Sequence, residues 1–143
     1  CAGPVIITPH PGEMARLIEK DTGAVQDDRI GCAREFAQAF DVHVVLKGAG
    51  TVIAHPDGYV FTNPTGNPGM ASGGMGDVLT GLIAGFIVQG YPVEVACHLG
   101  VYLHGAAADT LSTQKGPWGF LASDLMERIP EEISIMSTDP SKG

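Results

Sequence analysis

Basic residues are scarce in this chain: eight Lys and Arg stand against sixteen Asp and Glu, for a formal net charge of −8. A polyanionic partner is disfavoured on that ground, because nucleic-acid affinity comes mainly from Lys and Arg neutralising phosphates. Cysteine is nearly absent too. Cys1, Cys32 and Cys97 are odd in number and show no CxxC spacing, which argues against a disulfide framework or a zinc site and fits a reducing, cytoplasmic setting. The longest strongly apolar stretch, Val78 to Gln89, falls well short of the roughly 20 residues that cross a bilayer. No targeting or lipidation motif is visible. Two common nucleotide signatures are also missing: there is no GxxxxGK[ST], and no GxGxxG opens a helix after a strand.

What is present is an ordinary globular composition, 143 residues at 44% apolar and 17% charged, enough for one domain with a real core and expected to form a single unit over residues 1–143. Twenty glycines exceed the usual share of about 7%. They gather in turns without a repeat. Five of the eleven residues from Gly66 to Gly76 are glycine, and the stretch from Asn63 to Asp77 runs straight into the apolar helical segment closed by Gly90 and Pro92.

That junction carries the clearest chemistry. The first amides of a helix have no intrahelical partner and lie at the positive end of the macrodipole, so they receive phosphate readily. Glycines at 73, 74 and 76 remove β-carbons from the approach and permit positive φ. The loop is therefore expected to be mobile and shaped for an anion. Asp77 stands where a capping carboxylate would also be welcome. A mere cap would compete with a bound phosphate for the same amides, and Asp77 is accordingly read as a base beside a phosphate. Apolar residues wrap most of the following helix, and Gly81 and Gly85 on one face predict close packing on a sheet.

Elsewhere, Val5-Ile-Ile-Thr8 reads as a buried strand broken at Pro9-His-Pro-Gly-Glu13, with Met14, Leu17 and Ile18 following at helical spacing. His10 would then lie at the carboxyl end of a strand, where open α/β sheets bind ligands. Asp28 to Phe40 reads as an amphipathic helix ended by Asp41, and Val42 to Leu46 as a strand leading into Lys47-Gly-Ala-Gly-Thr51, a cation followed by flexible backbone. His55-Pro-Asp-Gly58 marks a hairpin between Thr51–Ala54 and Tyr59–Thr62, with His55 a turn residue of no assigned role. Val93 to about Thr113 predicts a long helix. His98 and His104 fall on different faces of it and are read as packing or hydrogen-bonding residues. Ser123 is expected to cap a last helix ending at Ile129 before Pro130, with a frayed tail from Ser137.

Three motifs in order, Thr8-Pro-His-Pro-Gly-Glu13, Leu46-Lys-Gly-Ala-Gly-Thr51 and Asn63-Pro-Thr-Gly-Asn-Pro-Gly-Met-Ala-Ser-Gly-Gly-Met-Gly-Asp-Val-Leu79, resemble the ADP- or ATP-dependent NAD(P)H-hydrate dehydratases of the ribokinase-like superfamily. The resemblance runs from about Val5 to Ile129. It implies the C-terminal portion of a ribokinase-like three-layer α/β/α fold, since that family's domain is about twice as long. It also implies a metabolite-repair lyase that uses ADP or ATP and Mg²⁺ to phosphorylate the hydroxyl of the S epimer of hydrated NADH or NADPH. Phosphate is then eliminated, restoring the ring. Carried over by position, the dinucleotide contacts are His10 and Asp77, with Asp77 the catalytic base. The nucleotide contacts are Lys47, Gly48, Ala49, Gly50, Thr51 and Gly76, and Gly73, Gly74 and Met75 form the anion-hole loop. No residue is assigned as a metal ligand. Homo-oligomers, commonly tetramers, and a fused epimerase domain in the full-length protein belong to the same expectation. The alternatives are a ribokinase-like kinase of the hydroxymethylpyrimidine, hydroxyethylthiazole or pyridoxal type, disfavoured by the His-Pro-Gly-Glu sequence, and an inactive nucleotide-binding fragment.

Overall fold

The computed structural model describes residues 3–138, and the expectations for Cys1 and for 139–143 lie outside the described residues. The described chain falls into two compact units: residues 3–64 with Pro92–His98, and Thr65–Tyr91 with residues 99–138.

The first unit is built on a four-stranded mixed sheet in the order β1 (Ile6–Ile7), β2 (His43–Leu46), β3 (Val52–Ala54), β4 (Val60–Thr62). β1 and β2 are parallel, pairing Ile6 with His43 and Ile7 with Val44. The other two pairs are antiparallel. Every residue of β2 and β3 is buried, as expected of β-branched strands covered on both faces. The crossover from β1 to β2 carries α1 (Pro11–Leu17), α2 (Thr22–Asp27) and α3 (Arg29–Phe40). α2 has no periodic apolar face to announce it; it rests on one core residue, Val25, and on an Asp21 cap that accepts from the Ala24 N–H at 2.8 Å. Asp28 caps α3 in the same way through Gly31, and Asp41 ends it in the left-handed conformation at φ 53°. Met14, Val25, Ala33, Ala37, Val44, Leu46, Val52 and Ala54 form the core. The predicted hairpin is present, closed by the Gly58 N–H to the His55 carbonyl at 2.9 Å.

The second unit packs α4 (Met75–Val88), the body of α5 (Val93–Lys115) and α6 (Ala122–Thr138) around Met75, Ala107, Ala108, Leu111, Phe120, Leu125 and Ile129. Two expectations are corrected here. Burial of α4 is one-sided, through Met75, Leu79, Ile83 and Phe86. At Gly81 and Gly85 an added Cβ would meet nothing within 4 Å among the described residues, and Val88 is 87% exposed. The helix partner found for α4 is instead Gly100 of α5, where an added Cβ would sit 2.6 Å from Ile83 Cγ1. Secondly, α6 runs on through Pro130 to Thr138 and begins ahead of Ser123, with the Leu121 N–H donating to the Asp124 carboxylate at 2.7 Å. A mid-helix proline removes one N–H and crowds one carbonyl. Pro130 is exposed, where water can serve the freed carbonyl, while Ile129 and Ile133 hold the helix to the core from the other side.

Candidate functional site

In the first unit the residues before α1 and after β2 come together. His10 is the N-cap of α1. Its Nδ1 accepts from the Glu13 N–H at 3.2 Å, and the Glu13 carboxylate accepts from the His10 N–H at 2.7 Å, a reciprocal capping box. With Nδ1 accepting, the neutral ring carries its proton on Nε2, which lies 3.4 Å from Glu13 Oε1. Lys47, at the end of β2, reaches the same carboxylate at 3.8 Å, and its N–H donates to the Pro9 carbonyl at 2.9 Å. The His10 amide first, and then the charges of Lys47, His10 and Arg16, hold the Glu13 carboxyl below the usual range. Ile7, Thr8, Pro9, Glu13, Arg16 and Leu17 line an open cavity of about 470 Å³. Glu13 had no role in the sequence reading; its place three residues after a helix N-cap is the signal that could have found it.

Beyond Lys47, Gly48, Ala49, Gly50 and Thr51 form a turn. Arg29, from the first turn of α3, donates to the carbonyls of Leu46 at 3.0 Å, Lys47 at 3.2 Å and Ala49. The Thr51 hydroxyl donates to the Gly48 carbonyl at 3.2 Å. Sequence spacing could not reveal Arg29, which is separated from its partners by 17 to 20 residues.

In the second unit the glycine-rich stretch is tethered where composition suggested mobility. The Asp109 carboxylate, on α5, accepts from the Gly66 N–H and from Asn67 Nδ2, both at 2.9 Å. Asn67 in turn caps a 3-10 turn at Pro68–Met70. Gly69 is pressed against Phe120 and the Pro117 carbonyl, where a Cβ would come within 2.6 Å of either. The chain then enters α4 through Gly74, which takes φ 84°; among glycines 73, 74 and 76 it alone uses positive φ.

Gly74 is the N-cap, and no side chain caps it. The N–H groups of Asp77 and Val78 both turn to the Gly74 carbonyl at 3.1 Å, and helix geometry leaves the amides of Met75 and Gly76 without intrahelical partners. Asp77 is thus the third helical residue rather than the cap. Its exposed carboxylate makes no hydrogen bond or ion pair among the described residues. His104 braces this end of the helix, Nε2 lying 2.9 Å from the Met75 carbonyl.

His55, read as a turn residue, is instead 2% exposed and central to a line of three rings. His43 Nδ1 meets His55 Nδ1 at 2.8 Å, and His55 Nε2 meets His98 Nε2 at 3.0 Å. Burial pushes the pKa of both His55 and His98 down.

Among the described residues no group of three His, Cys, Asp or Glu side chains could hold a metal ion. An Mg²⁺ carried in on nucleotide phosphates needs few or no protein ligands, since this ion keeps waters and phosphate oxygens about it.

Fold and site together define an α/β chain with two backbone elements suited to anions, one at a strand end and one at a helix start. The model of the family described as NAD(P)H-hydrate dehydratase matches residues 1–131. The chain is 52% identical over 128 residues, 90% of its length, to the bifunctional NAD(P)H-hydrate repair enzyme Nnr of Moorella thermoacetica, of which it covers 24%. To the ADP-dependent (S)-NAD(P)H-hydrate dehydratase of Bacillus subtilis it is 42% identical over 128 residues, covering 90% of this chain and 46% of that one. A crystal structure of the ADP/ATP-dependent NAD(P)H-hydrate dehydratase from B. subtilis, co-crystallized with ATP/Mg²⁺ and soaked with CoA, superposes with a TM-score of 0.90 at 41% identity, over 93% of this chain and 49% of that one. A ribokinase-like superfamily protein from Enterococcus faecalis follows at 0.80 and 32%. The chain belongs to the NAD(P)H-hydrate dehydratase family, with the ribokinase-like α/β fold that the three motifs implied. It spans about a quarter of the bifunctional relative and about half of the dehydratase.

Proposed function

We propose that this chain serves ADP- or ATP-dependent dehydration of the S epimer of hydrated NADH or NADPH, as part of a longer enzyme of the family. The observation that carries this reading is the start of α4: an unpaired carboxylate, Asp77, stands in the first turn beside helix amides that no side chain caps. Asp77 takes the proton of the ring hydroxyl as its oxygen attacks the terminal phosphorus of the nucleotide, and the bond from that phosphorus to the bridging oxygen breaks, releasing AMP or ADP. The ring C–O bond then breaks with loss of a proton from the neighbouring carbon, phosphate leaves, and the double bond forms. Gly73, Gly74, Met75 and Gly76 offer N–H groups to the phosphoryl charge, a form of electrostatic stabilisation that needs no reorganisation.

Lys47 and the turn Gly48–Thr51 hold the nucleotide, and His10, through Nε2, contacts the hydrated dinucleotide. The resemblance of the three motifs supports these assignments. Magnesium enters with the nucleotide, as substrate. A cytoplasmic setting belongs to the same proposal, supported by Cys32 and Cys97 being buried free thiols. So does a homo-oligomer, on the resemblance of the three motifs, as well as a second activity elsewhere in the longer protein, supported by the bifunctional relatives.

The test is ADP-dependent recovery of NADH absorbance from its S hydrate, run on this chain and on a form extended to the length of the B. subtilis relative. Product in the extended form supports the reading. ADP binding with no product in either form, and phosphorylation of small alcohols instead, would replace it with the kinase alternative.

A further inference from the structure

We infer that Arg29 is a positioning residue for the nucleotide turn Lys47–Gly50, turning its amides toward the ligand and placing a fixed positive charge behind them; this rests on the nucleotide reading of that turn. One guanidinium takes the carbonyls of Leu46, Lys47 and Ala49. In a trans peptide the N–H points opposite to the carbonyl of the preceding residue. Fixing those three carbonyls on the Arg29 side therefore turns the N–H groups of Lys47, Gly48 and Gly50 to the other side. The first of the three provides an internal check, since the Lys47 N–H is found on the Pro9 carbonyl, away from Arg29. By the same rule the amides of Gly48 and Gly50 point away from Arg29, and they make no hydrogen bond among the described residues, which leaves them for a ligand.

The glycine at 48 fits this arrangement for a specific reason. It takes φ 142°, and a Cβ there would lie 2.8 Å from Arg29 Nη2, so the arginine occupies the space that a side chain would need. Arg29 lies among carbonyls, with no carboxylate within ion-pairing distance among the described residues. Its charge is thus not cancelled locally, and it adds to the attraction that Lys47 exerts on an anion. The planar fork is what allows one side chain to serve three carbonyls; a lysine ammonium would supply the charge without that geometry.

The experiment is a calorimetric titration of ADP into the extended form as wild type, Arg29→Ala and Arg29→Lys, repeated with millimolar guanidinium chloride and accompanied by circular dichroism and thermal melts. The expected result is an ADP dissociation constant raised about tenfold or more in Arg29→Ala, consistent with losing hydrogen bonds to a charged group. Guanidinium should restore it, with a smaller recovery in Arg29→Lys. In turnover by the extended form, KM for ADP should rise while kcat holds. Unchanged ADP affinity in a folded Arg29→Ala chain overturns the inference and leaves the nucleotide reading standing. Weakened affinity that guanidinium does not restore also overturns it, in favour of a general folding role. An extended wild-type form that binds no ADP overturns the nucleotide reading of the turn, and the inference with it.

Discussion

The Asp77 carboxylate stands alone among the described residues, so its removal should disturb chemistry more than structure. Asp77→Asn keeps the shape and removes the base. Turnover in the extended form should fall by about 10²–10⁴-fold, while ADP titrates nearly as before and the thermal midpoint stays put. Equal turnover would remove Asp77 from the mechanism. The histidine line makes a different prediction at the same scale. Burial first, and then the neighbouring rings, push His55 down against the opposing charges of Glu94 and Asp57; His98, with Glu94 opposing, is pushed down by burial. Tyr59 stacks on both, and Phe61 stacks on His98. A histidine whose folded pKa lies below its unfolded value, about 6.5, binds a proton more readily when unfolded. Its contribution is full above that value and is lost as pH falls toward the folded pKa. Urea midpoints measured from pH 7.5 down to 5 should decline, with His55 adding at most about 1.4 kcal/mol per pH unit, and His55→Gln should flatten the profile. A flat wild-type profile would contradict the lowered pKa of His55 and His98.

Helices α4 and α5 let two glycines be set against each other. At Gly85 an added Cβ meets nothing within 4 Å, so Gly85→Ala should stabilise the chain by about 0.5–1 kcal/mol by removing unfolded-state freedom. At Gly100 the Cβ would meet Ile83 Cγ1 at 2.6 Å, with the Ile83 backbone N only 3.4 Å away. Gly100→Ala should therefore cost about 1–3 kcal/mol through overpacking. Denaturant melts read both, and similar shifts would mean that the helix contact is not where Gly100 puts it. The loop before α4 belongs to this scale as well. Asp109 accepts two hydrogen bonds from Gly66 and Asn67, and Asp109→Ala should weaken ADP binding in step with increased amide exchange at Gly66.

For the molecule as a whole, the proposal that Mg²⁺ enters on the nucleotide makes a prediction of its own. EDTA should leave the thermal midpoint of the nucleotide-free chain where it is. The same chelator should lower the midpoint measured with ADP and Mg²⁺, because any stabilisation by ligand follows its affinity. A shift in the nucleotide-free chain would reveal a metal site built by the protein itself. The net charge of −8 sets the other condition: a bound phosphate would be met by amides and a few placed cations, the role proposed for the Arg29-backed turn and the uncapped start of α4.

Local rules were enough for much of this chain. Apolar alternation and runs located β2 and β3, Asp28 and Asp41 bounded α3, and the Asp-Gly pair turned the hairpin, because each depends on residues within a few positions of one another. The glycine stretch and Asp77 were legible as the start of α4 for the same reason. Long-range packing decided the rest. Arg29 reaches carbonyls 17 to 20 positions away and Asp109 reaches back 43 and 42, and no period or motif encodes such distances. His55 looked like a turn residue because its neighbours are turn residues, yet it is buried and its ring meets that of His98, 43 positions on. Pro130 looked like an ending because a local rule makes it one; Ile129 and Ile133, held in the core on the far face, carried the helix through. Sequence determined where backbone could bend, coil or pair, since those choices are made over a few residues; tertiary structure alone decided which side chains would brace the turns, since only folding brings a donor from one helix to the carbonyls of a distant strand end.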